Sequence, residues 1–165
     1  MAPTIRSAVE ADTAAIAVIY EHYVRRTWAA FHLEPPTIED WTRLLGDAAR
    51  ASHPFLVSEA GGDLIGFAYG SSFRPRPAYS HTVETTVYVA REALGRGLGR
   101  PLYTALLVNA TDRGFHSAVA GITLPNRGSI TLHESLGFEV VGTFAEVGYK
   151  LGRWCDVQWW QKRLA

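Results

Sequence analysis

Cysteine is nearly absent from this sequence. Cys155 is the only one among 165 residues, which rules out an internal disulfide and any zinc site built from several thiolates, and fits a reducing compartment. Also missing is an excess of either charge. Sixteen basic and sixteen acidic residues give a formal net charge of zero, so no global field draws the chain to nucleic acid or an anionic membrane. An anionic ligand must then be held by a local site. No apolar run approaches the roughly 20 residues that span a bilayer, and residues 1–6 lack the basic-then-apolar pattern of a leader. These absences predict a cytoplasmic protein with no nucleic-acid or membrane partner. His22, His32, His53, His81 and His116 show no metal-ligand spacing, so no metal is expected. Repeats, charge blocks and Gly/Ser linkers are absent too. Residues 1–165 therefore read as a single domain, long enough to bury a core without covalent staples.

Periodicity supplies the elements. Thr4 to Ser7 reads as a short strand. Ile16, Ile19, Tyr20, Tyr23 and Val24 recur at three- and four-residue steps, which predicts a helix over 11–26 with Asp12 capping its start. Phe31 to Pro36 is turn-rich, and Thr37-Ile38-Glu39-Asp40 has the form of a capping box opening a helix through Leu45. Segments 55–60 and 64–71, joined by Gly61-Gly62-Asp63, read as a hairpin. After a Pro- and Arg-rich loop, Thr82 to Val89 is dense in β-branched residues and reads as a long strand. A helix follows over 101–113, with Leu102, Leu106 and Ala110 on one face, Pro101 in its first turn and Gly114 at its stop. Next come a strand over 118–123, a helix over 126–136 closed by Gly137, and strands over 138–141 and 156–164. The central strand, turn, helix, strand, helix unit implies an α/β (α+β) fold with a parallel pair and a right-handed crossover. Trp154, Trp159 and Trp160 beside Tyr149 read first as a packed aromatic cluster and second as a subunit interface.

Leu94-Gly95-Arg96-Gly97-Leu98-Gly99-Arg100 lies between a strand and a helix, where main-chain N–H groups and the helix dipole face an anion together. Glycine lets the backbone approach that anion closely. Arg91, Arg96 and Arg100 add local positive charge, and the combination points to a pyrophosphate site rather than a bare tight turn. A dinucleotide fingerprint needs its last glycine where Arg100 stands and an acidic residue where Thr123 and Leu124 stand, and a P-loop needs Gly-Lys-Ser/Thr. Neither pattern is present.

From Thr82 onward the chain resembles the GNAT superfamily of N-acetyltransferases. Within it, the likeness is to the phosphinothricin and methionine sulfone or sulfoximine acetyltransferases. The resembling stretches are the strand 83–89, the glycine turn, Leu124-Pro125-Asn126, Leu132-His133-Glu134-Ser135-Leu136-Gly137-Phe138, Gly148-Tyr149-Lys150 and Gly152-Arg153-Trp154, with Phe31 and Glu34-Pro35 earlier. The resemblance implies a mixed, twisted sheet of about six to seven strands with a splayed parallel pair, flanked by about four helices. It implies acetyl-CoA as cosubstrate. Val87, Tyr88 and Val89 would offer backbone groups to the pantetheine arm, Gly95, Arg96, Gly97, Leu98, Gly99 and Arg100 would hold the pyrophosphate, and Asn126 would contact the cofactor. Leu94 stands where the superfamily usually has Gln or Arg, and Arg100 where it has a small hydroxyl residue. The resemblance also implies a homodimer and direct transfer in a ternary complex.

An ammonium cannot attack a thioester, so a base must take its proton. Glu84 is the candidate. It sits among Thr, Val and Tyr, where partial burial would raise its pKa, the alternative being a paired or solvated strand carboxylate. His133 occupies the family position of the acid that protonates the departing thiolate; read by itself it is a structural histidine at a core edge. Cys155 has no activating partner near it in sequence and is set aside as an acyl carrier. Arg74, Arg76 and Tyr79 lie in the loop before the Glu84 strand, either as a proline-stiffened solvated loop or as a site for a carboxylate, phosphinate or sulfone oxygen. Phe31 matches an aromatic near the acceptor, but His32 and Leu33 replace the Arg-Thr pair of phosphinothricin-specific enzymes. The expected reaction is acetylation of the primary amine of a small amino-acid-like substrate. A non-catalytic acyl-CoA sensor and an acetyltransferase for an unrelated amine are the alternatives.

Overall fold

Alternation along the central strands decides where the helices go. In β2 (Phe55–Ala60) the neighbours Leu56 and Val57 are both buried, although successive side chains of a strand point to opposite faces. The same holds for Phe67 and Ala68 in β3 (Asp63–Ser72). These strands are covered on both sides. A computed structural model of the chain describes residues 2–165 and shows the two covering layers. On one face α1 (Thr13–Arg26) and α2 (Ile38–Arg50) pack Ile16, Ile19, Tyr20, Val24, Trp41 and Ala48 against Phe55, Val57 and Phe67. On the other, α3 (Gly99–Asp112) packs Leu102, Tyr103, Leu106 and Ala110 against Leu56, Ala68 and Val83.

The sheet has seven strands in the order β1-β2-β3-β4-β5-β7-β6, with β1 Thr4–Ser7, β4 Thr82–Val89, β5 Ser117–Thr123, β6 Glu139–Lys150 and β7 Arg153–Arg163. All neighbours are antiparallel except β4 and β5. That pair is parallel for only three rungs, Thr82↔Ser117, Val83↔Ala118 and Glu84↔Val119, and then separates. The fourth helix, α4 (Arg127–Ser135), follows β5.

Several expected boundaries shift, each for a local reason. The capping box at Thr37 forms as read, the Thr37 hydroxyl accepting from the Asp40 amide and the Asp40 carboxylate from the Thr37 amide, but α2 continues through Gly46 to Arg50. Asp12 does not cap α1. Its carboxylate accepts from the Val9 amide at 2.8 Å and pairs with Arg6 at 2.8 Å, which holds it below the usual carboxylate range and fixes a single 3₁₀ turn ahead of the helix. α3 begins at Gly99, so the last glycine of the turn is already helical. β6 runs to Lys150 rather than Val141, with a bulge between Phe144 and Gly148 in which the Glu146 amide donates to Asp156. The tryptophans do not form one cluster. Trp160 is in the core, Trp159 packs on Phe73 with ring centroids 5.9 Å apart, and Trp154 lies exposed against Tyr149.

Candidate active site

The site begins where the parallel ladder stops. Beyond Glu84↔Val119 the backbones of β4 and β5 part, and a cleft of about 740 Å3 opens between them, lined by 85–89 of β4, 120–123 of β5, the glycine turn, Asn126 and α4. On the side facing β5, residues 85–89 of β4 have no strand partner, which leaves polar main chain open to a ligand. One of these groups is already used. The Val89 carbonyl accepts the Tyr23 hydroxyl at 2.5 Å, while the Tyr88 hydroxyl donates to Ala29 at 2.9 Å, so the segment after α1 is pinned along the cleft.

The glycine turn closes one end. Gly95 and Gly97 both have φ near +72°, which L side chains rarely adopt, and no heavy atom lies within 4 Å of where a Cβ would stand at either. The open space above them is therefore a consequence of backbone shape. α3 starts from Leu98 with no capping side chain and no acidic residue in its first turn, so its first amides face the cleft without an internal acceptor. Leu94, Gly95, Gly97, Leu98, Gly99 and Arg100 line the cleft. Arg96 does not; it stands exposed on the outer side of the turn. Asn126 lines the cleft as the cap of α4, its side chain accepting from the Ser129 amide at 3.1 Å. Unsatisfied helix amides, glycines in the left-handed region and a long gap between strands suit a pyrophosphate followed by a slender polar arm.

His133 lines the cleft from α4 and is 4% exposed. Its Nδ1 lies 2.7 Å from the Ser129 carbonyl, which only accepts, so Nδ1 carries the hydrogen. Its Nε2 lies 3.1 Å from the Tyr103 hydroxyl, and that hydroxyl is 2.6 Å from the hydroxyl of Thr85. Burial pushes the imidazole pKa down, with the Ser129 hydrogen bond opposing, and favours a neutral ring.

Glu84 lies on the other face. The alternation that turns Thr85 and Val83 toward α3 turns Glu84 toward the side of α1 and α2, so Glu84 and His133 flank the splay from opposite sides of the sheet. The carboxyl is partly buried and makes no hydrogen bond or ion pair among the described residues, which removes the paired-carboxylate alternative. Burial raises its pKa, with Arg74 opposing. The loop carrying Arg74, Arg76 and Tyr79 folds over Trp159, which stands across from Gly121, on the Glu84 face. Arg74 lies over the Phe73 ring at 4.4 Å, near enough to Glu84 to act on its charge. Arg76 and Tyr79 are exposed, and none of the three lines the cleft.

Phe31 is 42% exposed and packs on Gly148 of β6 so closely that a Cβ there would collide with its ring. Three further contacts tie this segment to the β6–β7 hairpin. The buried Lys150 ammonium donates to the Ala30 carbonyl, Trp28 Nε1 donates to the Lys150 carbonyl at 3.1 Å, and Arg153 stacks on Trp28 while donating to Leu124 at 2.7 Å.

The site contacts of Thr85, Tyr103, Tyr23 and Gly148 are not legible in the sequence, although Tyr23 belongs to a helical period and Gly148 to a stretch that resembles the family. A threonine in a β-branched strand and a tyrosine on an apolar helix face look like packing, and nothing local marks Tyr103 as the partner of a histidine 30 residues away or Thr85 as the partner of Tyr103. The glycine turn and Glu84 carried a local signal, while Asn126 and His133 were singled out through the family resemblance.

Residues 5–159 match the family description "Acetyltransferase (GNAT) domain". A phosphinothricin N-acetyltransferase of Streptomyces viridochromogenes is 43% identical over 96% of this chain and 86% of its own length. An L-methionine sulfoximine/L-methionine sulfone acetyltransferase of Pseudomonas aeruginosa is 38% identical over 99% of this chain and 96% of its own. Among solved structures, a GNAT superfamily phosphinothricin acetyltransferase from Sinorhizobium meliloti in complex with acetyl-CoA superposes with a TM-score of 0.96 at 36% identity, covering 100% of this chain and 90% of that one.

Proposed function

The chain belongs to the GNAT acetyltransferase family, and from that premise we propose that it moves an acetyl group from acetyl-CoA to the primary amine of a small amino-acid-like acceptor of the phosphinothricin, methionine sulfoximine or methionine sulfone type. The observation that carries this reading is the gap between β4 and β5, running from the uncapped start of α3 to the Glu84 rung. Main-chain amides of 95–100 hold the diphosphate, with Arg100 and the exposed Arg96 adding charge. The backbone of 87–89 and Asn126 line the arm, and the thioester is brought to the splay. Acetyl-CoA supplies the activated acyl group; the chain supplies position and proton transfer.

Glu84 takes a proton from the acceptor's ammonium, and the freed amine forms the C–N bond as the C–S bond breaks. A carboxyl with raised pKa is a stronger base than a surface carboxylate, and its lack of partners leaves it free to accept. The nitrogen's second proton passes to the departing thiolate, giving amide and free coenzyme A, and His133, held at Nδ1 by Ser129 and at Nε2 by Tyr103, borders that proton path from the opposite face. Phe31 borders the acceptor, and Arg74, Arg76 and Tyr79 supply paired donors for its anionic end. Residues 1–165 act as a single N-acetyltransferase domain.

The enzyme is cytoplasmic, in keeping with its one buried free thiol and with the absence, among the described residues, of any helix long and apolar enough to cross a membrane. It works as a homodimer. Val141, Phe144, Val147, Tyr149, Leu151 and Trp154 leave exposed apolar side chains along the edge strand β6 and its hairpin, and a second copy covers that edge.

A thiol-release assay with acetyl-CoA and a panel of phosphinothricin, methionine sulfoximine, methionine sulfone, common amino acids and a polyamine tests the proposal. The expected result is turnover with one or more of the amino-acid-like amines. Binding of acetyl-CoA with release no faster than hydrolysis for every amine would favour the sensor reading.

A further inference from the structure

Four groups on four elements meet behind the cleft wall: the imidazole of His133 on α4, the hydroxyl of Tyr103 on α3, the hydroxyl of Thr85 on β4 and the carbonyl of Val119 on β5. Thr85 and His133 line the cleft, while Tyr103 is completely buried between them. The Thr85 hydroxyl also reaches the Val119 carbonyl at 3.2 Å, at the last rung of the parallel ladder. Two of the four groups are hydroxyls, which turn without moving their oxygens. Nδ1–H of His133 is committed to Ser129 at 2.7 Å, so any change in the ring's protonation occurs at Nε2.

We propose that Tyr103 and Thr85 are positioning residues for His133, forming a reversible hydroxyl chain that satisfies Nε2 both as an acceptor and as a donor without movement of the ring. With Nε2 bare, Thr85 donates to Tyr103 and Tyr103 donates to Nε2. With a proton on Nε2, both hydroxyls turn: Nε2–H donates to Tyr103, Tyr103 to Thr85, and Thr85 to the Val119 carbonyl. One N–H bond is gained and no other covalent bond changes. In either state Nε2 keeps a partner and both hydroxyl hydrogens keep an acceptor, so charging the ring leaves none of these three groups buried and unpaired. The ring faces Tyr103 of α3, Phe138 ahead of β6 and Trp160 of β7, and of these only Tyr103 titrates, with a hydroxyl that burial keeps protonated. The chain is therefore the one route by which these neighbours can answer a charge on the imidazole.

The inference rests on the acetyltransferase reading, and the experiment separates the two. Tyr103→Phe keeps the buried ring and removes one oxygen; Thr85→Val removes the other hydroxyl at equal size, and Thr85→Ser retains it. ¹⁵N NMR of the histidine rings is followed against pH together with steady-state kinetics, with thermal melts to compare folding. In the parent protein the neutral ring is expected as the Nδ1–H tautomer. In Tyr103→Phe that tautomer persists, because Ser129 still fixes it. The imidazolium loses a charge-assisted bond and the neutral ring a weaker one, so the titration midpoint falls by about 0.5–1 pH unit. Turnover drops on the order of 10- to 100-fold while KM for acetyl-CoA stays within about 2-fold. Thr85→Val moves both readouts the same way, and Thr85→Ser restores them. A Tyr103→Phe protein with the parent's His133 titration or the parent's kcat overturns the proposal. If His133→Gln itself leaves kcat unchanged, the catalytic reading of His133 fails instead.

Discussion

Burial of Glu84 acts in opposite directions on stability and on chemistry. A carboxyl whose folded pKa lies above its unfolded value contributes stability that is fully present below the unfolded pKa and is lost as pH rises through the folded one. At neutral pH the fold thus carries a desolvated carboxylate at some cost. Glu84→Gln is expected to raise Tm at pH 7–8 by a few degrees, about 2–4 °C per kcal/mol for a chain of this size, with the gain vanishing below the ordinary carboxylate range. The same substitution lowers kcat by about 10²- to 10⁴-fold with acetyl-CoA affinity retained, and the acid limb of the parent's kcat/KM profile lies above the ordinary glutamate range because burial raises the carboxyl's pKa. Melts across pH and a thiol-release assay read both; unchanged turnover removes Glu84 from the mechanism. Gly148 makes a second case. Its φ is not in the left-handed region, so alanine is conformationally acceptable, but the added methyl meets Phe31. Gly148→Ala should raise KM for the acceptor on the order of 10-fold while leaving KM for acetyl-CoA near its parent value. Equal effects on both would mean a global disturbance. Glu84 was visible in the sequence because a carboxylate among β-branched residues is conspicuous. Gly148 stood in a stretch that resembles the family, but its contact was hidden, because the constraint comes from a ring 117 residues away.

At the scale of elements, what could be read was what the chain states locally. The box at Thr37, the glycine pair at 61–62 and the β-branched run 82–89 all formed as expected, because each depends on side chains within three or four residues. β6 was read far too short. As an edge strand it is exposed along most of its length, so no buried face imposes alternation on its sequence, and its bulge breaks the period again. The start of α3 was also missed by two residues, since Gly99 and Arg100 carry turn chemistry and helical backbone together. The turn itself gives a sharp expectation. At Gly97 a β-branched side chain must adopt φ near +72° and also fill the space above the α3 amides. Gly97→Val is expected to weaken acetyl-CoA binding by 10-fold or more in titration calorimetry. An unchanged affinity would contradict the phosphate assignment.

For the whole molecule, the exposed apolar edge formed by β6 and its hairpin lies at one end of the sheet. A homodimer built on this edge has twice the 18.2 kDa of one chain. Phe144→Glu places a charge within it and is expected to yield monomers by light scattering or sedimentation. A monomeric parent protein would refute the arrangement. Charge balance and the single thiol were evident beforehand because they are properties of the entire chain, and the parallel pairing of β4 with β5 because strand, turn, helix and strand follow one another in it. The splay of β4 from β5 was expected only through the family resemblance; that the pair stops after three rungs could not be read from residues alone, since the contacts bordering the gap, Tyr23 on Val89 and Tyr103 on Thr85, come from elements far apart in the chain.

Because the carboxyl and the imidazole stand on opposite sides of a sheet that parts between them, the sheet works as a partition with one window. If acetyl-CoA lies along the gap and the amine meets Glu84 as proposed, nucleotide and amine each have their own approach, neither needs to wait for the other to clear it, and the two products withdraw the way their precursors came. A tight-binding amine would then occupy its side without evicting the nucleotide from the other.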